Sequence, residues 1–96
     1  MAEIRWTYEA DLWLKDIYDY IALDNPSAAK QVVEGIYNKA QILKDYPEVG
    51  HSYETAEKED VRILLYGHYR ITYVLLNDQI DILGVFHGAL DIDRYL

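Results

Sequence analysis

The sequence contains no cysteine, only two prolines and five glycines, and no long apolar run. Without cysteine the chain has neither a disulfide framework nor thiolate metal sites, and this composition suits the reducing cytoplasm. A membrane-spanning helix needs roughly 20 mainly apolar residues, and no stretch approaches that length. Residues 1–5 carry no secretion signal. We therefore expect a cytoplasmic protein that has no membrane partner.

Basic side chains are also scarce. Nine Lys and Arg stand against 17 Asp and Glu, so the net charge is 9 − 17 = −8 at pH 7. Proteins that hold nucleic acid through phosphate contacts present a basic face to it. Direct nucleic-acid binding is therefore not expected to dominate the function, and any RNA or DNA contact must depend on a local cluster of cations.

Apolar residues, in contrast, are plentiful. Of 96 residues, 51% are hydrophobic and 14% are aromatic, which is far too apolar for a disordered chain. No repeat, low-complexity tract or linker is visible. We expect residues 1–96 to form a single domain, because the length fits one domain and not two.

The spacing of apolar residues predicts the first elements. Residues 3–7 alternate as in a strand, and apolar residues then recur at steps of three and four up to Ile21, which indicates a helix with Thr7 as its N-cap. Pro26 starts a second helix over 26–45, and the short connection predicts an antiparallel helical hairpin. The acidic stretch 46–60 is predicted to be a loop.

The C-terminal third is predicted to be β-structure. Residues 61–66, 69–76 and 79–87 are rich in Val, Ile, Leu and Tyr, and two-residue turns separate them. The predicted fold is therefore α+β with the order β-α-α-β-β-β. A helical hairpin packs on one face of a mainly antiparallel sheet, a short helical turn follows at 91–96, and the opposite sheet face is left partly open for function.

The two tight turns fix which strand residues share a face. Continued along the strands, they place Arg70 opposite Val85 and diagonal to His87 on the open face. The same register puts Arg62 beneath the helices, where a guanidinium is costly to bury. We therefore expect either a bulge near Gly67, which moves Arg62 beside Arg70, or an edge position for Arg62.

Three side chains are candidates for chemistry. Arg70 can clamp a phosphate or a carboxylate, or it can form a structural ion pair with Asp81. His87 ends a strand, where it can serve as a general acid or base or simply bond to the backbone. Tyr95 can reach over the open face or fray at the end of the chain.

No metal and no cofactor is expected. His51, His68 and His87 are dispersed and lack the spacing of metal ligands, and the sequence has no glycine-rich phosphate loop and no nucleophile elbow. The ten tyrosines exceed what a small core needs. They indicate either a protein interface or amphipathic coverage of the sheet and helix edges.

Five segments follow one another in the order and spacing of a known family: Ala-Ala-Lys-Gln-Val-Val-Glu-Gly-Ile (28–36), Leu-Lys-Asp-Tyr-Pro-Glu-Val-Gly (43–50), Val-Arg (61–62), Tyr-Arg-Ile-Thr-Tyr (69–73) and Val-Phe-His-Gly (85–88). Together they resemble the RelE/ParE toxin superfamily over almost the whole chain, and they are closer to its ParE-like branch. The resemblance implies a β-α-α-β-β-β fold and the toxin half of a type II toxin–antitoxin pair. A cognate antitoxin neutralises such a toxin when its C-terminal segment wraps over it.

The resemblance offers two mechanisms. RelE-like toxins cut mRNA on the ribosome without a metal, using cationic and aromatic side chains to activate the 2′-hydroxyl and stabilise the phosphorane. On that branch it assigns catalytic roles to Arg70, His87 and Tyr95, and target or phosphate binding to Arg62 and Arg70. ParE-like toxins act on DNA gyrase instead.

The sequence departs from the ribonuclease pattern at three places. Ala89 and Leu90 stand where many members have arginines, and His51 replaces the arginine that usually follows the Pro-x-x-Gly turn. With these cations missing and a net charge of −8, we expect a toxin that binds a protein target, gyrase being the precedent. The alternatives are a ribosome-dependent mRNA endoribonuclease and a degenerate, non-toxic binding module. We also expect the partner's docking segment to be basic.

Overall fold

The computed structural model describes residues 2–54 and 59–88. Its elements follow the order β1 (Glu3–Trp6), α1 (Tyr8–Ala22), α2 (Pro26–Ala40), a 3-10 helix (Gln41–Lys44), β2 (His51–Tyr53), β3 (Val61–Tyr66), β4 (Tyr69–Leu76) and β5 (Gln79–His87). The predicted β-α-α-β-β-β fold is confirmed, with the short β2 added inside the predicted loop. The helical turn expected at 91–96 lies outside the described residues.

Both helices begin at the residues that the sequence indicates. The Thr7 side chain accepts a hydrogen bond from the Ala10 amide, and the Asn25 side chain accepts one from the Ala28 amide. Pro26 occupies the first turn of α2, where its missing N–H costs nothing. The predicted second helix over 26–45 is too long, because the chain tightens into the 3-10 helix after Ala40.

The five strands form one mixed sheet in the order β1-β5-β4-β3-β2. β1 pairs with β5 in parallel, and all other neighbours are antiparallel. The helices pack on one side, which we call the helix face; the opposite side is the second face. The main core lies between the helices and the helix face and contains Ala10, Ile36, Ala40, Leu43, Leu64, Ile71, Tyr73, Ile80, Ile82 and Val85.

The second face is closed at its centre, so the partial opening that the sequence predicts is confined to its rim, where Leu65 is 52% exposed. Thr72, Val74 and Phe86 are only 0%, 4% and 1% exposed. A smaller apolar cluster forms there from Ile63 and Phe86, and the partly buried Trp13 and Tyr53 pack against it. The Trp13 and Phe86 rings meet edge to face with centroids 4.7 Å apart. Function must therefore be sought at the rim of the sheet and not at its centre.

A β-bulge shifts the pairing of the last two strands. Tyr73 pairs with Ile82 and Thr72 with Gly84, so Leu83 has no partner on β4. An extra residue reverses the faces of everything that follows it in the strand. Val85 therefore joins the main core, whereas Phe86 turns to the second face. The predicted assignment of these two residues is wrong for this reason.

Glycine allows a close approach between α2 and β3. A Cβ added at Gly35 would lie 2.0 Å from the Tyr66 hydroxyl oxygen, so only glycine leaves room for this tyrosine. The close neighbour of Gly35 is thus a side chain of β3. Within the described residues, no helix is long and apolar enough to cross a membrane.

Candidate functional site

The bulge at Leu83 separates the two side chains that the sequence proposes as a catalytic pair. Arg70 pairs with Phe86, and Tyr69 pairs with His87. Neighbouring residues of a strand point to opposite faces. Arg70 therefore belongs to the second face, whereas His87 lies with Tyr69 on the helix face. The prediction that Arg70 lies opposite Val85 and shares a face with His87 is wrong.

Arg70 is half-buried near the end of β4. Its Nη2 donates to the Gly88 carbonyl at 3.4 Å. The alternative ion pair with Asp81 does not form, because Asp81 pairs with Val74, four positions further along β4. Asp81 instead accepts hydrogen bonds from Arg5 Nη2 at 2.7 Å and from Gln79 Nε2 at 2.6 Å. Arg70 thus keeps its guanidinium at the end of the sheet.

His87 is exposed and lies in an aromatic environment. Its ring meets the Tyr69 ring edge to face at 5.7 Å and an interplanar angle of 85°. The His68 ring stacks near it, with centroids 6.2 Å apart and planes at 28°. No group of three or more potential metal ligands occurs in residues 2–54 and 59–88, so these two imidazoles lack further protein ligands there.

The rim of the sheet carries a shallow cavity of about 350 Å³. It lies between the turn after β3 and the facing end of β5, and Arg70, His68 and His87 all contribute to its lining. One guanidinium and two imidazoles can together bind an anionic group, and an imidazole can also transfer a proton. The three side chains are therefore better placed to contact an anionic group at this rim than to act together on one reacting atom.

The Arg62 side chain has a structural role, because its guanidinium is bonded within the protein. No register shift occurs between β3 and β4, so the predicted bulge near Gly67 is absent and Arg62 stays beside Tyr73 on the helix face. Its guanidinium donates to the Asp60 carboxylate at 3.0 Å and to the carbonyls of Glu48 and Gly50 at 2.8 and 3.2 Å. The segment before β2, and not a helix, covers the Arg62 guanidinium. Hydrogen bonds to the carbonyls of this segment offset the cost of removing the guanidinium from water.

Tyr73 also holds the segment before β2 in place, through its side-chain hydroxyl. Its buried hydroxyl donates to the Pro47 carbonyl at 2.7 Å and accepts a hydrogen bond from the Gly50 amide at 3.0 Å. Burial raises the pKa of Tyr73 above its ordinary value of 10.0, although the Gly50 hydrogen bond opposes the shift. The Pro-Glu-Val-Gly motif at 47–50 is therefore held by Tyr73 and Arg62 from two neighbouring strands.

Sequence reasoning missed His68 as a neighbour of His87. The sequence contained a signal for this contact. In the predicted β4–β5 register, each step back along β4 corresponds to one step forward along β5, so His87 comes to lie opposite His68. The bulge changes that partner to Tyr69, yet the two histidines still stack. Tyr95, the third proposed catalytic side chain, lies outside the described residues, as do Ala89 and Leu90.

Comparisons with known proteins agree with this architecture. The family model described as ParE toxin of type II toxin-antitoxin system, parDE, matches residues 4–92. A chain of 29% identity over 89 residues is Toxin RelE2 of Caulobacter vibrioides, with 93% of this chain and 98% of that protein covered. Two solved structures share the fold. The chromosomal ParDE toxin–antitoxin system from P. aeruginosa gives a TM-score of 0.76 at 24% identity, covering 91% of this chain and 96% of that one.

The second structure is the toxin–antitoxin complex RelBE2 from Mycobacterium tuberculosis, with a TM-score of 0.61 at 20% identity and coverage of 90% of this chain and 96% of that one. Both comparisons cover almost the whole helical hairpin and sheet of this chain. The chain belongs to the ParE toxin family of type II toxin–antitoxin systems. Membership of this family supports an antitoxin as the partner of this chain.

Proposed function

We propose that this toxin arrests growth by binding a protein target, and that DNA gyrase, which the family resemblance implies, is that target. The observation that carries the proposal is the opposite orientation of Arg70 and His87 caused by the bulge at Leu83. Cleavage of RNA at a 2′-hydroxyl needs a base and a cationic group within hydrogen-bond reach of one phosphate. Two side chains on opposite faces are poorly arranged for that task.

The placement of the other arginines in the described residues supports the same proposal. The guanidinium of Arg5 binds Asp81, and that of Arg62 binds Asp60 and two carbonyl groups. A cation that already has a carboxylate partner adds little attraction for RNA phosphates. The rim around Arg70 is thus better suited to a small anionic group of a protein surface than to a nucleic-acid backbone.

Ribosome-dependent cleavage of mRNA is the second candidate. It is favoured by the cavity of about 350 Å³ that Arg70, His68 and His87 line together. In this alternative His87 would act as general base, His68 would hold its ring, and Arg70 would stabilise the phosphorane charge. The relative named Toxin RelE2 adds a reason to test it.

Controlled expression of the toxin separates these functions. Growth should stop while the 5′ ends of cellular transcripts, mapped by sequencing, stay unchanged and chromosomal DNA shows breaks. Rapid cutting of translated messages, lost when initiation is blocked, would instead establish the ribonuclease. Unimpaired growth at a confirmed level of folded protein would show a non-toxic binding module. Expression together with the antitoxin is the matched control and should restore growth.

A further inference from the structure

The strand β1 forms an open edge of the sheet. It pairs only with β5, and the sheet order places no described strand on its outer side. The Glu3 amide donates to the Asp78 carbonyl at 3.0 Å, and the Thr7 amide donates to the Ile82 carbonyl at 3.2 Å. Because alternate residues of a strand bond to the same neighbour, the backbone N–H and C=O of Ile4 point to the outer side. An open edge of this kind can accept a further strand.

A groove of about 820 Å³ runs along this edge. Its lining consists of Ala2, Glu3, Ile4, Arg5, Lys44 and Gln79. None of the four residues of β1 is buried, whereas Ile80 and Ile82, which pair with Ile4 and Trp6, are fully buried in β5. The groove therefore leaves room beside β1 for another strand, next to apolar side chains that are still partly exposed.

The two charged side chains of β1 select one register between two copies of this strand. In a hydrogen-bonded antiparallel pair, residues whose backbone groups point outward lie opposite each other. Three pairings then overlap most of this short strand: Glu3 with Glu3, Arg5 with Arg5, or Glu3 with Arg5. The first two bring like charges together, which is unfavourable. The third gives two identical ion pairs around a two-fold axis at Ile4.

The side chains of β1 are suited to this third register. Glu3 is exposed and makes no ion pair with any of the described residues. Arg5 donates through Nη2 to Asp81, but its side chain is 64% exposed, and a guanidinium has further N–H groups for a second carboxylate. The register also sets Trp6, the largest side chain of β1, opposite the small Ala2 of the second copy. Charge and size are thus both self-complementary.

We propose that β1 pairs antiparallel with β1 of a second copy of this chain, so that two toxins share one continuous sheet. Ile4 exchanges both backbone hydrogen bonds with Ile4 of the second copy, and Glu3 pairs with Arg5 on each side of the axis. The antiparallel pair keeps the helices of both copies on the same side of the shared sheet. This inference does not depend on the target of the toxin.

The dimer should be weak. A stable interface buries roughly 1,200–2,000 Å², and a pair of four-residue strands supplies only part of that area. Two copies of net charge −8 also repel each other, although physiological salt screens exposed charges beyond about 8 Å. Short-range hydrogen bonds and ion pairs therefore hold the dimer, and we expect a dissociation constant on the order of 10–100 µM.

Sedimentation equilibrium of the toxin freed from its antitoxin, between about 1 µM and 1 mM, measures this association. Glu3→Lys turns both attractions into repulsions and should raise the dissociation constant about tenfold or more. Glu34→Lys makes the same charge change at an exposed position of α2 and should alter the constant less than about twofold. Equal constants for the two variants would overturn the proposal. A wild-type toxin that stays monomeric throughout would also overturn it and leave the edge to a strand of another protein.

Cysteine variants report the register directly. Because the chain has no cysteine, Glu3→Cys and Arg5→Cys each introduce a single thiol. In the proposed register these two positions face each other with Cα atoms about 4.5 Å apart, which is within disulfide reach. With oxidised glutathione, an equal mixture of the two variants should form a disulfide-linked dimer, whereas either variant alone should form far less. More dimer from either variant alone than from the mixture would overturn the proposal. Circular dichroism verifies that every variant is folded.

Discussion

Tyr69 and His87 face each other across β4 and β5, with ring centroids 5.7 Å apart and planes nearly perpendicular. This pairing places His87 on the helix face and leaves Arg70 on the second face. The extra residue Leu83 is the cause. Arg70 and His87 therefore reach the cavity at the rim from opposite faces of the sheet. This arrangement is poor for joint action on one reacting atom, and it is the basis for proposing a protein target.

The division of Arg70 from His87 predicts additive effects on toxicity. Residues that act as one catalytic unit give a double variant about as inactive as the worse single variant. We expect Arg70→Ala and His87→Ala to act independently, so that the double variant loses the product of the two single losses. The measurement is the toxin level that halves the growth rate, with Lys30→Ala as a surface control that keeps full activity. A double variant no weaker than the worse single variant would contradict the division.

Gly50 should tolerate no side chain. A Cβ there would lie 2.7 Å from the Tyr73 hydroxyl oxygen and 3.0 Å from the Ile63 carbonyl oxygen, and both atoms are held by their surroundings. We expect Gly50→Ala to lower the free energy of unfolding by about 1–3 kcal/mol in urea denaturation. Gly67→Ala is the control: it has a φ of +56° and no neighbour within 4 Å, so it should cost only about 1 kcal/mol of backbone strain. Equal losses would refute the steric explanation.

Tyr73 should make stability fall at alkaline pH. Because its pKa is raised in the folded state, chiefly by burial, its stabilising contribution is present below pH 10.0 and is lost as the pH rises through the folded-state pKa. We expect Tyr73→Phe to reduce the free energy of unfolding by about 1–3 kcal/mol at neutral pH, since the Gly50 amide and Pro47 carbonyl lose their partner.

Comparing the stability of wild type and Tyr73→Phe across pH isolates the effect of ionising the Tyr73 hydroxyl. Wild-type protein should lose stability more steeply than Tyr73→Phe does as the pH rises above 10.0, when melting is followed by circular dichroism. Tyr46→Phe, at an exposed tyrosine, serves as the matched control and should follow the wild-type curve. Identical pH profiles for wild type and Tyr73→Phe would show that this tyrosine titrates alike in both states.

Asp81 should hold β1 against β5. Its carboxylate is 9% exposed and accepts hydrogen bonds from Arg5, its pairing partner on β1, and from Gln79 at the start of β5. We expect Asp81→Ala to lower the free energy of unfolding by about 1–3 kcal/mol, measured by urea denaturation. Lys15→Ala removes an ion pair that is exposed on both sides and should leave the urea midpoint unchanged. A similar midpoint for both variants would argue against this role of Asp81.

Much of the fold follows from local sequence signals. The Thr7 and Asn25 caps and Pro26 define the helix starts, and the two-residue turns give the strand limits and the β3–β4 register correctly. These features depend on neighbouring residues alone, so the sequence displays them. The three-residue β2 was not predicted, because it is too short for an apolar pattern and depends on pairing with β3.

The site was less predictable, because one residue decides it. The predicted β4–β5 register runs past Leu83 without a break, and it therefore assigns Val85, Phe86 and His87 to the wrong faces. Gly84 was the available signal, since a glycine inside a strand often marks a bulge or a close contact. A Cβ added at Gly84 would lie only 2.6 Å from Cζ of Phe86, so the glycine leaves room for that ring.

Inhibition of DNA gyrase in vitro is the most direct test of a protein target. Purified gyrase should supercoil relaxed plasmid in the absence of the toxin, and added toxin should abolish supercoiling and leave broken DNA. The antitoxin, added first, should prevent this effect. Full supercoiling at toxin concentrations that arrest growth in cells would contradict the proposed target.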